Sequence, residues 1–166
     1  MKNTSINIEV INENQINVLK NLVSLYLHDL SAFADDLAIN DSGVFEYEGI
    51  ELYFNREDLT PFFIKNDNKV VGFMLLNMGR YVEDNIDFCV HEFFILKSDR
   101  KKGFGKAAVK QLFNSYKGRY KIGQLASNTP ALKFWHRIYE ALAIEYSEIQ
   151  EKVDGLPCVA QIFNIE

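Results

Sequence analysis

The sequence lacks any hydrophobic run long enough to cross a membrane. No stretch approaches the roughly 20 consecutive apolar residues that a membrane-spanning helix requires. The first five residues, MKNTS, are not followed by the apolar core of a secretory signal peptide. We therefore expect a cytoplasmic protein that has no membrane partner.

The sequence also has only two cysteines, and its basic side chains are fewer than its acidic ones. The two cysteines, Cys89 and Cys158, lie in apolar, strand-like runs, which favours buried free thiols. No spacing of Cys and His residues indicates a metal site. With 18 basic against 23 acidic side chains the net charge is -5, so the chain as a whole has no electrostatic attraction to nucleic acid. We expect neither a metal ion nor a nucleic-acid partner.

What the sequence does contain is enough apolar side chain for one core. Its 166 residues fit a single domain spanning residues 1–166. A hydrophobic content of 48% excludes a disordered chain. The composition leaves open whether the protein is a monomer or a homodimer.

Hydrophobic periodicity predicts an alternation of strands and helices. Strands are indicated at about 6–10, 62–65, 70–76, 86–96, 122–126, 143–149 and 158–165. Helices are indicated at about 13–29 and 105–117, with a third that starts at 128–130 and a short one from Ser31 to Asp36 or Leu37. Residues 38–60 are expected to form a long connection with an edge strand or a short helix. This order predicts an α/β fold with a mixed sheet and helices on both faces.

One basic, glycine-containing turn lies between a predicted strand and a predicted helix. Arg100, Lys101 and Lys102 precede Gly103-Phe104-Gly105-Lys106, and the helix starts near the second glycine. The first N–H groups of a helix have no partner within the helix, and the helix dipole adds positive charge there. Glycines allow an anion to approach the backbone closely. The turn therefore predicts a phosphate or pyrophosphate site.

Two nucleotide-binding motifs fit this turn poorly. Residues 103–108 match the dinucleotide fingerprint G-x-G-x-x-A, but the next strand ends near Asn128 without the acidic residue that such sites use. The triphosphate-binding P-loop requires Ser or Thr after its lysine, whereas Ala107 follows Lys106. Neither a nicotinamide nor a nucleoside triphosphate is the expected ligand.

A third motif matches at two places. Residues 100–105, RKKGFG, resemble Arg/Gln-x-x-Gly-x-Gly/Ala, the pyrophosphate signature of the GNAT superfamily of acyl-CoA-dependent N-acetyltransferases. Residues 128–135, NTPALKFW, resemble the N-x-x-A-x-x-F-[YW] segment of the same superfamily. Two motifs on the predicted elements are more specific than either alone. The resemblance covers about Asp87 to Tyr139.

The resemblance implies both a fold and a cosubstrate. The fold would be GNAT-like, with a mostly antiparallel sheet of six to seven strands in which the fourth and fifth strands splay apart. The pantetheine arm of acetyl-CoA would lie in the gap, and its pyrophosphate would lie at the turn. The residues that would contact acetyl-CoA are Phe93, Phe94, Ile95 and Lys97 on the strand, Arg100, Lys101, Lys102, Gly103, Phe104, Gly105 and Lys106 in the turn, and Asn128, Ala131 and Phe134 beyond it.

The catalytic acid of the family has no counterpart at its usual position. Family members often use a tyrosine at the end of the Asn-x-x-Ala segment, and this sequence has Trp135 there. An indole N–H does not protonate a thiolate at neutral pH. The role of acid is left open between Tyr139, His136 and water.

Two residues on the strand before the turn are equal candidates for the general base. His91 titrates in the useful range and would share a face with Asp87 and Cys89 if the strand were regular. Glu92 would face the other way, unless a bulge changes which side chain faces the site. Cys89 occupies a position often held by the family's base, but a thiol is a poor general base.

The reaction implied by the resemblance is acetyl transfer to the primary amine of a small molecule or peptide, by direct attack in a ternary complex. The N-terminal half is rich in acidic residues, which would suit a cationic amine or merely reflect an acidic surface: Asp29, Asp35, Asp36, Glu46, Glu48 and Glu51. Because the usual tyrosine is missing, the alternative is a non-catalytic acyl-CoA-binding or sensing module.

Overall fold

A computed structural model of the protein describes residues 5–166. Its centre is a seven-stranded sheet with the order β1-β2-β3-β4-β5-β7-β6. The strands are β1 Ile6–Val10, β2 Leu59–Asn66, β3 Lys69–Met78, β4 Phe88–Ile95, β5 Gly118–Leu125, β6 Tyr146–Val153 and β7 Leu156–Ile165. The helices are α1 Ile16–Leu30, α2 Phe104–Ser115 and α3 Thr129–Ala141. All neighbouring strands are antiparallel except β4 and β5, so the predicted mixed, mostly antiparallel sheet is confirmed.

The parallel strands β4 and β5 separate after a single point of pairing. In the described part of the chain, their one backbone bridge joins Phe88 to Tyr120. Asp87 holds this closed end, because its Oδ2 accepts the Arg119 N–H at 2.7 Å and its own N–H donates to the Arg119 carbonyl at 2.8 Å. Beyond it, the edge of β4 that faces β5 has no strand partner within residues 5–166. The predicted splay is therefore confirmed.

The helices cover both faces of the sheet, as predicted. Phe73 and Met74, neighbours on β3, point into two different clusters because side chains alternate along a strand. On the α1 face, sheet residues pack against α1 and a short 3-10 helix, Ile50–Phe54. On the α2–α3 face, sheet residues pack against α2 and α3. The apolar stripes that predicted these helices are therefore their buried sides.

The predicted helix starts agree with local chemistry. The Asn12 N–H donates to Gln15 Oε1 at 3.2 Å, and a 3-10 turn at Glu13–Gln15 leads into α1. At the start of α3, Asn128 Oδ1 accepts the Ala131 N–H at 3.2 Å, so Asn128 is the N-cap. The long connection before β2 contains the 3-10 helix rather than an edge strand.

The short helix predicted from Ser31 to Leu37 is wrong. The Ser31 hydroxyl donates back to the His28 carbonyl at 2.6 Å. The N–H groups of the next two residues bond to carbonyls three residues back, so α1 tightens and ends there. The chain then continues as turns, without a helix.

Several predicted strand ends are also wrong. The strand β5 begins at Gly118 rather than Ile122, because it pairs with β7 from its first residue to its last. The strand β6 begins later than predicted, since Ala143 has a left-handed backbone (φ 52°) at the end of α3. Asp154 and Gly155 both have positive φ and form the two-residue turn that joins β6 to β7.

Candidate active site

A bulge in β4 decides which side chain reaches the α1 face. Leu75 of β3 pairs with Glu92, whereas the next residue, Leu76, pairs with Val90. His91 is therefore an extra residue on β4, and it shifts the alternation of side chains by one. Glu92 turns to the α1 face, while His91 is exposed. The bulge that would bring Glu92 rather than His91 to the site is present.

The Glu92 carboxylate is enclosed by donors from other parts of the chain. Its side chain is 15% exposed. The Tyr26 hydroxyl of α1 donates to Oε2, and the Tyr47 hydroxyl donates to Oε1 at 3.1 Å. The His91 Nε2 lies 3.8 Å from Oε1. Burial raises the pKa of Glu92 above its ordinary value, even though His91 and the two tyrosine hydroxyls each lower it. A carboxyl with a raised pKa suits general-base chemistry near neutral pH.

A second polar pair lies beside Glu92 on the same face. The Tyr53 hydroxyl donates to Asn77 Oδ1 at 2.5 Å. Asn77 pairs in register with Cys89, which therefore also faces α1. Burial and the nearby charge of Glu92 raise the pKa of Cys89 to about 12. Cys89 remains a protonated, half-buried thiol, which agrees with its being a poor base.

An open cavity lies next to this group. It has a volume of about 680 Å³ and lies between α1 and residues 44–51 of the long connection. Tyr47 lines the cavity and also reaches Glu92 with its hydroxyl. Tyr47 is therefore shared by the lining of the cavity and the surroundings of the carboxylate.

The glycine turn is exposed up to Gly103, the residue before the first helical position of α2. Its first internal hydrogen bond runs from the Ala107 N–H to the Gly103 carbonyl at 3.1 Å, and no side chain among the described residues caps the helix. The N–H groups before Ala107 have no partner within the helix. Gly103 has a φ of 80°, and a Cβ placed there would meet no atom within 4 Å. This geometry fits the binding of an anion.

The side chains of the basic run are more engaged than their sequence suggests. Arg100 Nε donates to the Ile95 carbonyl at 2.8 Å, and its guanidinium donates to Asp29 Oδ2 at 2.7 Å. Lys97 also pairs with Asp29, at 3.2 Å. Partial burial would raise the pKa of Asp29, but the hydrogen bonds from Arg100 and Lys97 hold it below its ordinary value. Arg100 thus joins the turn to α1 and β4.

The second glycine of the turn has a packing role. A Cβ at Gly105 would lie 2.8 Å from Cε2 of Phe134. The Phe134 ring stacks on Phe93, with 5.1 Å between ring centres. The structure therefore brings together the start of α2, the end of β4 and the start of α3. Asn128 and Ala131 lie in the first turn of α3, half-buried.

The structure places Tyr139 in the core. It has no exposed surface, and its hydroxyl donates to Gln161 Oε1 at 3.1 Å. Trp135 is 4% exposed and packs edge-on against Phe93. His136 Nε2 lies 2.6 Å from a carboxylate oxygen of Glu148. These contacts favour a packing role for Tyr139, which is not retained among the proposed catalytic residues.

Three residues of the site have no role that the sequence alone predicts. Tyr26 belongs to the apolar stripe of α1, which indicates a core position. Tyr47 lies in the least regular part of the chain, where nothing local relates it to Glu92. Asp29 is one of several acidic residues in the N-terminal half, although it pairs with the turn. For Tyr26 and Asp29, the sequence signal is a polar group near the apolar stripe of a helix. Tyr47 has no such signal.

Comparison with known proteins agrees with this geometry. The model of the Acetyltransferase (GNAT) family matches residues 24–139, which is more than half of the chain. The chain belongs to the GNAT acetyltransferase family. Proteins of this family use acetyl-CoA. The match extends well upstream of the two motifs. No curated protein sequence matches the chain.

Solved structures of GNAT proteins share the whole fold at low identity. An acetyltransferase from Thermus thermophilus has a TM-score of 0.70 at 13% identity and covers 99% of both chains. An N-acetyltransferase from Staphylococcus aureus has a TM-score of 0.65 at 13% identity, covering 98% of this chain and 100% of its own. RimL, a ribosomal L7/L12 alpha-N-protein acetyltransferase in complex with coenzyme A, has a TM-score of 0.65 at 13% identity, covering 99% and 96%. At these identities the likeness shows the fold alone.

Metal clusters and membrane-spanning helices are both absent from the described residues. Within residues 5–166, no group of three or more His, Cys, Asp or Glu side chains is arranged to hold a metal ion. No helix in that range has both the length and the apolar character needed to cross a membrane.

Proposed function

We propose that this GNAT protein is an acetyl-CoA-dependent N-acetyltransferase that acetylates the primary amine of a small molecule or peptide by direct attack in a ternary complex. The observation that carries the proposal is the Glu92 carboxylate. It lies half-buried on the α1 face, at the bulge of the splayed strand, and desolvation raises its pKa. Glu92 is the proposed general base.

The splayed sheet and the α2 turn support the proposed cosubstrate site. The C-terminal end of β4, at Phe93, Phe94 and Ile95, and Lys97 in the 3-10 turn that follows would contact the pantetheine arm through backbone groups, as an added strand does. The backbone of residues 100–106 would hold the pyrophosphate, with Lys101 and Lys106 close by. Asn128 would contact the arm, with Ala131 and Phe134 on the same side. Arg100 would act mainly by holding the turn to α1.

The proposed reaction needs one general base, and water protonates the leaving thiolate. The amine nitrogen attacks the thioester carbonyl carbon, a C–N bond forms, and the C–S bond breaks. Glu92 takes the proton that the amine loses. Since Tyr139 is buried and His136 is paired with Glu148, the leaving thiolate takes its proton from water. His91, exposed and 3.8 Å from Glu92, is the second candidate for the general base.

Two of the six acidic residues named in the N-terminal half are paired within the chain, whereas Glu46 and Glu48 line the cavity, so the six do not form one acidic wall. Asp29 is paired with Arg100 and Lys97, and Glu51 is paired with Lys20 at 2.7 Å. The acceptor is therefore proposed only as a primary amine. A test panel should include peptide N-termini, because RimL and a ribosomal-protein-S18-alanine N-acetyltransferase from Escherichia coli (TM-score 0.59, 12% identity, covering 98% of this chain and 95% of its own) are structural neighbours.

Glu92→Gln tests the proposal most directly. We expect kcat to fall by about 10²–10⁴-fold, the usual contribution of a positioned base. The Kd for acetyl-CoA should not change. Thiol release across the amine panel measures the first quantity, and calorimetry measures the second. Glu145→Gln, an exposed glutamate elsewhere, is the matched control. Wild-type kcat in Glu92→Gln would refute the assignment, and no acetyl-CoA binding by the native protein would refute the proposed function.

A non-catalytic acyl-CoA-binding or sensing module is the second candidate. Trp135 at the usual tyrosine position is the observation that favours it. Acetyl-CoA binding without thiol release on any amine of the panel would support this candidate over the enzyme.

A further inference from the structure

We propose that Tyr26 and Tyr47 are positioning residues for this acetyl transfer, which hold the Glu92 carboxylate from two separate elements so that it works as the base. The inference rests on the proposed function. It goes beyond it in assigning roles to two residues outside the family motifs.

Tyr26 holds one carboxylate oxygen from a rigid element. It lies on α1, and its hydroxyl donates to Oε2 of Glu92. Its ring packs edge-on against Phe73 at 5.8 Å and against Phe94 at 6.0 Å. Phe73 lies on β3 and Phe94 on β4, the strand of Glu92, so core residues beside Glu92 determine the position of the hydroxyl.

Tyr47 holds the other oxygen from the long connection. Its hydroxyl donates to Oε1 of Glu92 at 3.1 Å. The connection is tied to α1 close by, where the Phe45 N–H donates to Ser24 Oγ at 3.0 Å. Tyr47 also lines the 680 Å³ cavity, so one side chain contacts both the cavity and the carboxylate.

No other described group takes the place of these two donors. The titratable groups that face Glu92 are Tyr26 from α1, Tyr47 and Tyr53 from the connection, and Cys89 and His91 from β4 itself. Tyr53 donates its hydroxyl to Asn77 instead. Cys89 makes no hydrogen bond to Glu92 within residues 5–166, and His91 is 3.8 Å away. Both carboxylate oxygens therefore depend on tyrosine hydroxyls.

The effect of removing a hydroxyl has a definite sign. A hydrogen bond donated to a carboxylate stabilises its charged form. In Tyr26→Phe or Tyr47→Phe the charged form loses one donor, so the pKa of Glu92 should rise further. The acidic limb of the kcat/KM profile should then move to higher pH, by about one unit for one charge-assisted hydrogen bond.

The test is a titration of the Glu92 carboxyl carbon by ¹³C NMR in the full-length protein, without substrates. Its signal is assigned by its loss in Glu92→Gln. We expect the midpoint to rise by about one pH unit in Tyr26→Phe and in Tyr47→Phe, and the acidic limb of kcat/KM to follow. Tyr53→Phe is the matched control: it also removes a buried hydroxyl on this face, but not one bonded to Glu92, so its midpoint should stay at the wild-type value.

Unchanged midpoints in folded Tyr26→Phe and Tyr47→Phe would overturn the inference, and so would an equal shift in Tyr53→Phe. If Tyr26→Phe does not fold, the titration midpoint in Tyr47→Phe, a substitution in the long connection, tests the inference alone. The titration does not depend on activity. Shifted midpoints together with wild-type kcat in Glu92→Gln would contradict Glu92 as the base, while leaving the two tyrosine contacts established.

Discussion

The glycine turn and the Glu92 site differ in how far apart along the chain their parts lie. The turn and the start of α2 are one continuous segment, residues 97–106, whose backbone supplies the proposed anion site. The Glu92 site brings together distant parts of the chain. Tyr26 is 66 positions before Glu92 and Tyr47 is 45 positions before it, and each bonds to the carboxylate through its hydroxyl. A site made by local backbone has a motif, whereas a site made by tertiary contact has none.

One helix end nevertheless contacts both regions. Tyr26 and Asp29 are three residues apart on α1, so they lie on the same side of the helix. Tyr26 bonds to Glu92, and Asp29 bonds to Arg100 and Lys97. The last turn of α1 therefore connects the proposed base to the proposed pyrophosphate site.

Gly105→Val should produce the largest effect on acetyl-CoA affinity and should act only on the glycine turn. The added side chain would overlap Phe134, since even a Cβ would lie 2.8 Å from its ring. Moving the start of α2 would cost one or two hydrogen bonds to a charged group, so acetyl-CoA affinity should fall by about 100-fold. Calorimetry gives the Kd. Lys110→Val, an exposed position of the same helix, controls for the β-branched residue. Normal affinity in a folded Gly105→Val protein would contradict this account of the turn.

The stability contributions of Glu92 and Asp29, one carboxylate from each region, should change in opposite directions with pH. Glu92 has a raised pKa, so its contribution to stability is present at low pH and is lost as pH rises through that pKa. Asp29 has a lowered pKa, so its contribution is present above the ordinary pKa of aspartate and is lost as pH falls. With rising pH, Glu92→Gln should therefore gain stability relative to wild type. Asp29→Asn should lose it, by about 1 kcal/mol or less for a partly exposed pair.

Urea unfolding of both variants and of wild type, from about pH 3 to pH 8, measures these differences. Asp35→Asn, an exposed aspartate beyond α1, controls for the loss of one acidic charge. Stability differences that change in the same direction with pH in Glu92→Gln and Asp29→Asn would show that the two carboxylates are not in opposite environments.

Tyr139→Phe should have the smallest effect on activity. Its hydroxyl is buried on Gln161, which also exchanges hydrogen bonds with Gln124 at 3.0 and 2.9 Å. Losing one buried hydrogen bond costs about 1 kcal/mol of unfolding free energy. We expect kcat to stay within about twofold of wild type, since the proposed base is untouched. A kcat loss of the size expected for Glu92→Gln would return Tyr139 to the proposed catalytic set.

The prediction from sequence was most successful where structure is local. Apolar stripes identified α1, α2 and α3, because each stripe is the buried side of its helix. It failed where pairing between distant strands sets the ends of an element. The strand β5 begins at Gly118 because β7 pairs with it there. It also failed at Ser31, where i→i−3 hydrogen bonds end α1 and no second helix follows.

By itself the sequence determined the GNAT motifs, the order of the elements and the location of the glycine turn, because glycines, caps and hydrophobic periods act over a few neighbouring residues. Only the tertiary structure decided that Glu92 rather than His91 faces α1, since that choice depends on one bulge in the pairing of β3 with β4. Only the tertiary structure brought Tyr26 and Tyr47 to the carboxylate, because their hydroxyls meet Glu92 across the packed face of the sheet.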